Sequence, residues 1–232
     1  MQKIEIRKIE DKDDYQSSEA YKRLRTNLQL CGAERKVIVI SSCLPSEGKS
    51  TTTVNLCISM AEMGQRVLLV DADLRKSVMV GRYHITRMTR GLSHYLAGQA
   101  EAEQIFCETN IPGLDVILAG PTLPNPAEML AGDAFKSLIR QVRNLYDYVI
   151  IDAPPIGSVI DAAIIAPACD GIVLVIGAGE VSKKIALNAK QQMEKTGTPL
   201  LGVVLNKVDM NTNKYYGKYY GKYYGKYYGT EK

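Results

Sequence analysis

Six short runs rich in Val, Ile and Leu recur along the chain, and they constrain its fold more than any other feature. The runs are continuously apolar, which is typical of strands buried on both faces of a parallel sheet. Stretches that predict helices lie between them. This alternation predicts an α/β fold, with a single doubly wound, mostly parallel sheet flanked by helices. The predicted strands cover residues 36–42, 66–73, 114–120, 147–153, 171–179 and 200–207, and the main predicted helices cover 18–30, 50–64, 133–145 and 182–197.

Both ends of the chain depart from this pattern. Residues 1–17 are charged and weakly periodic, so we expect a loose N-terminal arm before a domain that spans residues 18–213. Residues 214–232 contain four copies of Lys-Tyr-Tyr-Gly, which hold 8 of the 14 tyrosines. Gly at every fourth position and Lys beside each Tyr pair oppose a packed element, so we expect this tail to be disordered.

The charge of the chain lies in the same tail. The 232 residues carry a formal net charge of +4, and residues 214–232 contain five lysines against one glutamate. The remainder is therefore neutral and creates no net field that attracts a polyanion, so we expect no nucleic-acid partner.

Cysteine usage and hydropathy indicate the compartment. The five cysteines are odd in number and widely spaced, which is typical of reduced cytosolic thiols. No apolar run approaches the roughly 18–20 residues that a membrane span needs, and the N-terminus lacks the apolar stretch of a signal peptide. We therefore expect a cytoplasmic protein that reaches a membrane only through a partner.

The segment SSCLPSEGKST, residues 41–51, follows a predicted buried strand and precedes a predicted helix. Gly48, Lys49 and Ser50 match the Walker A pattern GxxxxGK[ST], whereas Cys43 stands at its first glycine. Backbone N–H groups at such a helix start bind phosphate, the lysine reaches the β- and γ-phosphates, and the hydroxyl binds Mg²⁺. The alternative is an ordinary polar turn with a chance match. The predicted nucleotide-binding residues are Pro45, Ser46, Glu47, Gly48, Lys49, Ser50 and Thr51.

Three carboxylates follow two other predicted strands. Asp71 and Asp73 come at the end of RVLLVDAD, and Asp152 ends YVIID in the manner of a Walker B strand. Ligands of open α/β sheets gather at the carboxyl ends of the strands, where these groups would hold Mg²⁺ and accept a hydroxyl proton. Each aspartate could instead cap a solvated turn.

The segment LNKVD, residues 205–209, matches the guanine-reading signature NKxD. The switch elements of a GTPase cannot be placed between Lys49 and Asn206, and a strand end followed by a polar turn explains the segment equally well. We predict that Asn206 contacts the base of a bound nucleotide, and we favour adenine.

Taken together, the motifs resemble those of the bacterial tyrosine kinases, in particular the CpsD-type cytoplasmic kinases of capsule and exopolysaccharide synthesis. The resemblance covers nearly the whole chain. The MinD and ParA partition ATPases, whose folds should be alike, carry a second lysine early in the phosphate loop, where this chain has Leu44. The matching segments are SSCLPSEGKST, LLVDADLRK, VIIDAPP, GPTLPNPAEML and the terminal tyrosine cluster.

The resemblance implies an ATP-dependent protein-tyrosine autokinase that uses Mg²⁺. Lys49 and Ser50 would serve phosphate and metal, and Asp73 and Asp152 would complete the metal site. Asp71 would activate the acceptor tyrosine, although the division of roles between Asp71 and Asp73 stays open. The implied phosphoacceptors are Tyr215, Tyr216, Tyr219, Tyr220, Tyr223, Tyr224, Tyr227 and Tyr228.

The resemblance also implies partners. The family motif EX₂RX₂R, linked to subunit assembly, corresponds here to Glu19, Lys22 and Arg25, so we expect a homo-oligomer, with a ring as one arrangement. A Lys at the central position lacks the bidentate fork of an Arg. Further expected partners are a membrane activator of the polysaccharide co-polymerase type, which would recruit the kinase to the inner face of the membrane, and a cognate tyrosine phosphatase.

Two other functions fit the same residues. The chain could be a P-loop ATPase that switches or positions a partner and uses the tail as an anchor. It could also be a scaffold for polysaccharide machinery with a vestigial phosphate loop, although the carboxylates speak against this.

Overall fold

A mixed sheet lies at the centre of the computed structural model, which describes residues 2–6, 14–83, 85 and 90–208. Within these residues the chain forms eight strands and eight α-helices. The strands are β1 (Gln2–Ile4), β2 (Val37–Ser42), β3 (Val67–Asp71), β4 (Phe106–Thr109), β5 (Leu114–Ile117), β6 (Tyr148–Asp152), β7 (Gly171–Gly177) and β8 (Leu200–Asn206). The helices are α1 (Asp14–Leu30), α2 (Lys49–Ala61), α3 (Met79–Arg82), α4 (Leu92–Leu96), α5 (Pro126–Ala131), α6 (Asp133–Leu145), α7 (Asp161–Ile165) and α8 (Lys183–Glu194).

The strand order is β1-β4-β5-β3-β6-β2-β7-β8. Neighbouring strands are parallel except for β4 and β5, which pair antiparallel. The predicted fold class is therefore confirmed. Because β3, β6 and β2 are adjacent and parallel, their carboxyl ends meet at one edge of the sheet.

Both faces of the central strands are covered. Val37 and Val39 of β2 point into one core with residues of α6, α7 and α8. Ile38 and Ile40 point into the opposite core with residues of α1, α2 and α3. Every residue of β2, β3 and β6 is buried, which explains why these strands are continuously apolar.

The prediction of a loose N-terminal arm over residues 1–17 is wrong for part of that segment. Gln2–Ile4 pair in parallel with Cys107, Glu108 and Thr109 of β4, and the side chains of Ile4 and Ile6 are buried. Helix α1 begins at Asp14, four residues before its predicted start. The expected disordered tail lies outside the described residues.

The strands β1 and β4 were not predicted because each is short and partly polar. Phe106–Thr109 has the burial pattern of a half-exposed strand, and it pairs with β5 and β1 near the edge of the sheet. The six predicted strands are all present, and each ends within three residues of its predicted limits.

Two residues of α6 give a test of the core. The side chain of Phe135 is 1% exposed, whereas Leu145 at the end of the same helix is 56% exposed. Phe135→Ala should lower the free energy of unfolding by about 3–5 kcal/mol, because it leaves a cavity between α6 and the sheet. Leu145→Ala, the matched control, should change it by less than about 0.5 kcal/mol. Urea unfolding followed by circular dichroism measures both, and equal midpoints for the two variants would contradict this packing.

Candidate active site

Sheet register places two of the predicted carboxylates opposite each other. Asp71, the last residue of β3, pairs with Asp152, the last residue of β6. Ile40 of β2 also pairs with Asp152, from the other side. The loop that follows β2 then leads into α2. The three predicted motifs therefore meet at one edge of the sheet, as the sequence predicted.

The phosphate loop enters α2 through a left-handed glycine. Gly48 is the N-cap of α2 with φ 86°, and no side chain caps the first turn of this helix. The positive φ favours glycine, and a Cβ at Gly48 would also lie 2.0 Å from Nδ2 of Asn206. The uncapped N–H groups of a 13-residue helix form a site that suits phosphate oxygens.

Lys49 and Asp152 form a buried ion pair at the start of α2. The Nζ atom of Lys49 donates to Oδ1 of Asp152 over 2.7 Å, and the two side chains are 7% and 1% exposed. Nζ also lies 3.2 Å from the Oγ atom of Ser50. The hydroxyl of Thr53, which sequence reasoning missed, lies 2.9 Å from the Lys49 carbonyl oxygen and 3.3 Å from the same Asp152 oxygen. The predicted phosphate-binding and metal-binding groups are thus hydrogen-bonded to each other.

Asp71 and Asp73 lie in different environments. Asp71 is 0% exposed, its Oδ1 accepts from the backbone N–H of Asp73 over 3.2 Å, and its Oδ2 accepts from the hydroxyl of Ser77. Burial, and secondarily the nearby Asp152 carboxylate, raises the pKa of Asp71 to about 7. Asp73 is half-buried, and its Oδ1 accepts from the backbone N–H of Lys76 over 3.0 Å. Asp73 is the carboxylate that solvent reaches.

Two residues of the predicted nucleotide-binding set, Glu47 and Asn206, form hydrogen bonds that stabilise the phosphate loop. The buried carboxylate of Glu47 accepts from the N–H groups of Leu44, at 2.6 Å, and Gly177, at 3.0 Å. The Asn206 side chain donates to the Glu47 carbonyl over 2.9 Å. The contact of Asn206 with a base therefore stays a prediction.

The remaining predicted members of this set, Pro45, Ser46 and Thr51, are not buried. Pro45 and Ser46 are exposed, and the Ser46 carbonyl accepts from Nζ of Lys207 over 2.6 Å. The hydroxyl of Thr51 accepts a hydrogen bond from Arg82 of α3.

Cys43, at the first glycine position of the motif, is accommodated because its thiol points into the core. The thiol is buried against one face of the sheet, and burial raises its pKa to about 11. The Cys43 carbonyl accepts from the N–H of Gly157 over 3.1 Å. A Cβ at Gly157 would lie 2.2 Å from that oxygen, so this loop also requires glycine.

Arg75, which the sequence left without a role, has a buried partner. Its guanidinium donates twice to the carboxylate of Asp161, at 2.8 and 2.9 Å, and Asp161 is 0% exposed in the first turn of α7. The pair ties the segment after β3 to α7. No local pattern signals it, because the two residues are 86 positions apart.

The residues predicted to form a subunit interface make contacts within their own chain. Lys22 pairs with Glu19 over 2.7 Å on the surface of α1. Arg25 donates to the backbone carbonyl of Ser59, at 2.6 Å, and to its hydroxyl, at 3.0 Å, and so ties α1 to α2. The subunit interface stays a prediction. The eight predicted phosphoacceptor tyrosines lie outside the described residues.

Sequence comparison identifies the family. A protein-family model described as an AAA domain matches residues 35–196. The chain is 44% identical over 215 residues to the tyrosine-protein kinase CpsD of Streptococcus agalactiae, covering 93% of this chain and 94% of the relative. The chain belongs to the CpsD-type bacterial tyrosine kinases.

Comparison with solved structures agrees with the assignment of this chain to the bacterial tyrosine kinases. The chain matches the kinase domain of the Escherichia coli tyrosine kinase ETK with a TM-score of 0.82 and 30% identity, over 90% of this chain and 84% of that one. It also matches MinD of Pyrococcus horikoshii in complex with Mg-ADP, with a TM-score of 0.64 and 24% identity, over 73% of this chain and 69% of that one. The MinD match shows a common fold, as the sequence predicted.

The kinase has, among its described residues, no helix long and apolar enough to cross a membrane.

The raised pKa of Asp71 predicts a pH-dependent stability. An ordinary aspartate has a pKa near 3.8. Asp71 therefore stabilises the ligand-free fold at low pH, and this contribution is lost as pH rises through about 7. Asp71→Asn removes the charge, so the stability of the variant relative to the parent should rise by about 1–3 kcal/mol between pH 5 and pH 8.

Urea unfolding without nucleotide or Mg²⁺ at the two pH values measures this difference. Asp133→Asn, at a fully exposed carboxylate, is the control and should show no such trend. A relative stability of Asp71→Asn that does not change with pH would overturn the burial argument.

Proposed function

We propose that this kinase transfers the γ-phosphate of ATP to the tyrosines of its own C-terminal tail, from one chain to the tail of a neighbouring chain. The supporting observation is the convergence of Lys49, Ser50, Asp71 and Asp152 at the edge of the sheet where α2 begins. This set combines a phosphate-binding loop with carboxylates that can hold a metal and take a proton, which are the parts that phosphoryl transfer requires.

The chemistry of the site suits Mg-ATP. The helix start and Gly48 form a cradle for phosphate, and a hydroxyl with one or two carboxylates is a common protein contribution to Mg²⁺ binding. We assign Lys49 to the β- and γ-phosphates, and Ser50, Asp73 and Asp152 to Mg²⁺. When bound, Mg²⁺ would neutralise charge on the phosphate oxygens.

The acceptor tyrosine must lose its hydroxyl proton during transfer. We assign Asp71 to this step, because a base acts best when its pKa lies near the operating pH, and burial raises the pKa of Asp71 to about 7. Asp73 is the more exposed carboxylate of the two. A tyrosine therefore reaches Asp71 only if the residues over it move.

The path of the chain supports the tail as substrate. The last strand ends at Asn206, whose side chain bonds to the phosphate loop at the Glu47 carbonyl. The last described strand thus ends at the edge of the sheet that holds the phosphate loop. We infer that the segment after it serves a site of the same kind on another chain. Assembly raises the effective concentration of such a tail at a neighbouring site.

Assembly and regulation form the wider part of the proposal. We infer a homo-oligomer that uses the α1 face with Glu19, Lys22 and Arg25. A membrane activator recruits the cytoplasmic kinase to the inner face of the membrane, and a phosphatase reverses the reaction. Each phosphate adds about −1.5 to −2 of charge, so full modification makes the tail strongly negative. That reversal of charge would loosen the assembly and regulate polysaccharide synthesis and export.

A mixture of two variants tests transfer between chains. One is the full chain with Lys49→Met, which removes the phosphate-binding cation, and the other is an active chain that lacks residues 214–232. With Mg-ATP, we expect phosphotyrosine on the Lys49→Met tail in the mixture and none when that variant is alone. Mass spectrometry of the tail measures both.

Controls separate the alternatives. Circular dichroism must show that Lys49→Met is folded, since Asp152 loses its buried partner. The tail-deleted chain should bind ATP as the full chain does. Absence of label in the mixture, with label on the unmodified full chain, would contradict transfer between chains. An unlabelled full chain, even with the cytoplasmic segment of the activator, would contradict the kinase proposal and favour an ATPase switch.

A further inference from the structure

The hydroxyl of Ser77 makes two hydrogen bonds next to the reacting groups. It donates to Oδ2 of Asp71, and it accepts from the backbone N–H of Met79 over 3.2 Å. The other oxygen of Asp71 accepts from the N–H of Asp73 over 3.2 Å. Both oxygens of the carboxylate are thereby fixed, and lone pairs remain on each for a further donor.

Met79, the second hydrogen-bond partner of Ser77, is held in the core. Met79 begins α3 and is 2% exposed, in the same core as α2. At the end of α3, Arg82 donates to the hydroxyl of Thr51 in the first turn of α2. A continuous set of contacts therefore runs from the Asp71 carboxylate through Ser77 and α3 to the first turn of α2.

A capping role alone does not account for this arrangement. To cap the start of α3, Ser77 needs only to accept from Met79, and its own proton could then go to solvent. The proton is instead directed at Asp71, which lies opposite Asp152 in the sheet. Two carboxylates side by side repel, so a hydroxyl that holds one of them in a single orientation has a specific use there.

We propose that Ser77 is a positioning residue for phosphoryl transfer, whose hydroxyl holds the Asp71 carboxylate in the orientation that accepts the proton of the incoming tyrosine. The inference rests on the proposed role of Asp71. It also places α3 between the two halves of the site, since the same helix contacts the first turn of α2 through Arg82.

An isosteric pair of variants tests the hydroxyl. Ser77→Thr keeps it, whereas Ser77→Val has nearly the shape of Thr without it. Because one hydrogen bond to a charged group is lost, Ser77→Val should lower kcat for tail phosphorylation by about tenfold or more. The KM for ATP should stay within about twofold, since the phosphate loop is untouched, and Ser77→Thr should stay close to the parent.

Two controls distinguish positioning from a structural role. Ser182 caps α8 by accepting from Ile185 over 3.4 Å, and Ser182→Ala should leave kcat unchanged. In an Asp71→Asn chain, whose residual turnover is measured by mass spectrometry over long incubations, Ser77→Val should cause no further loss. The inference is overturned if Val and Thr behave alike, if only the KM for ATP changes, or if the loss is the same in the Asp71→Asn chain. Absence of tail phosphorylation by the parent chain would instead contradict the proposed function.

Discussion

The buried ion pair between Lys49 and Asp152 is the interaction on which the rest of the site depends. It joins the first residue of α2 to the last residue of β6, so it fixes the phosphate loop against the central strands. A lysine and an aspartate that are 7% and 1% exposed are tolerable only as partners, because either charge alone would be strongly unfavourable there. The pair therefore neutralises both buried charges at the start of α2.

The same pair gives the two neighbouring carboxylates different hydrogen-bond partners. The Lys49 cation bonds to Asp152 directly, whereas Asp71, opposite it in the sheet, accepts from the backbone N–H of Asp73 and the hydroxyl of Ser77. Burial, and secondarily the nearby Asp152 carboxylate, raises the pKa of Asp71 to about 7. Burial of Asp71 lowers the stability of the fold near neutral pH, and it makes this carboxylate a base that can be protonated near pH 7. The hydrogen bonds of Ser77 to Asp71 and of Arg75 to Asp161 hold the segment after β3 in place.

The sequence allowed most of the fold and the location of the site to be predicted, for one physical reason. Strands buried on both faces are continuously apolar, and parallel strands bring their carboxyl ends together, so Lys49, Asp71 and Asp152 could be placed at one edge. The short strands β1 and β4 lack that apolar signal. The bonds that set each residue's role, such as Arg75 to Asp161, join positions far apart in the chain, and no local pattern predicts them. The burial that separates Asp71 from Asp73 is likewise a tertiary property of two residues that look equivalent in DAD.

A structure of the kinase with Mg²⁺ and a non-hydrolysable ATP analogue tests most directly whether Lys49 and Asp152 bind the nucleotide and its metal. The Nζ atom of Lys49 lies 2.7 Å from Oδ1 of Asp152. We expect this distance to exceed about 3.5 Å, the limit of a hydrogen bond, as the lysine moves to the phosphates and the aspartate turns toward the metal. A pair that stays closed while the analogue occupies the phosphate loop would contradict the proposed assignment of Lys49 to the phosphates and Asp152 to Mg²⁺.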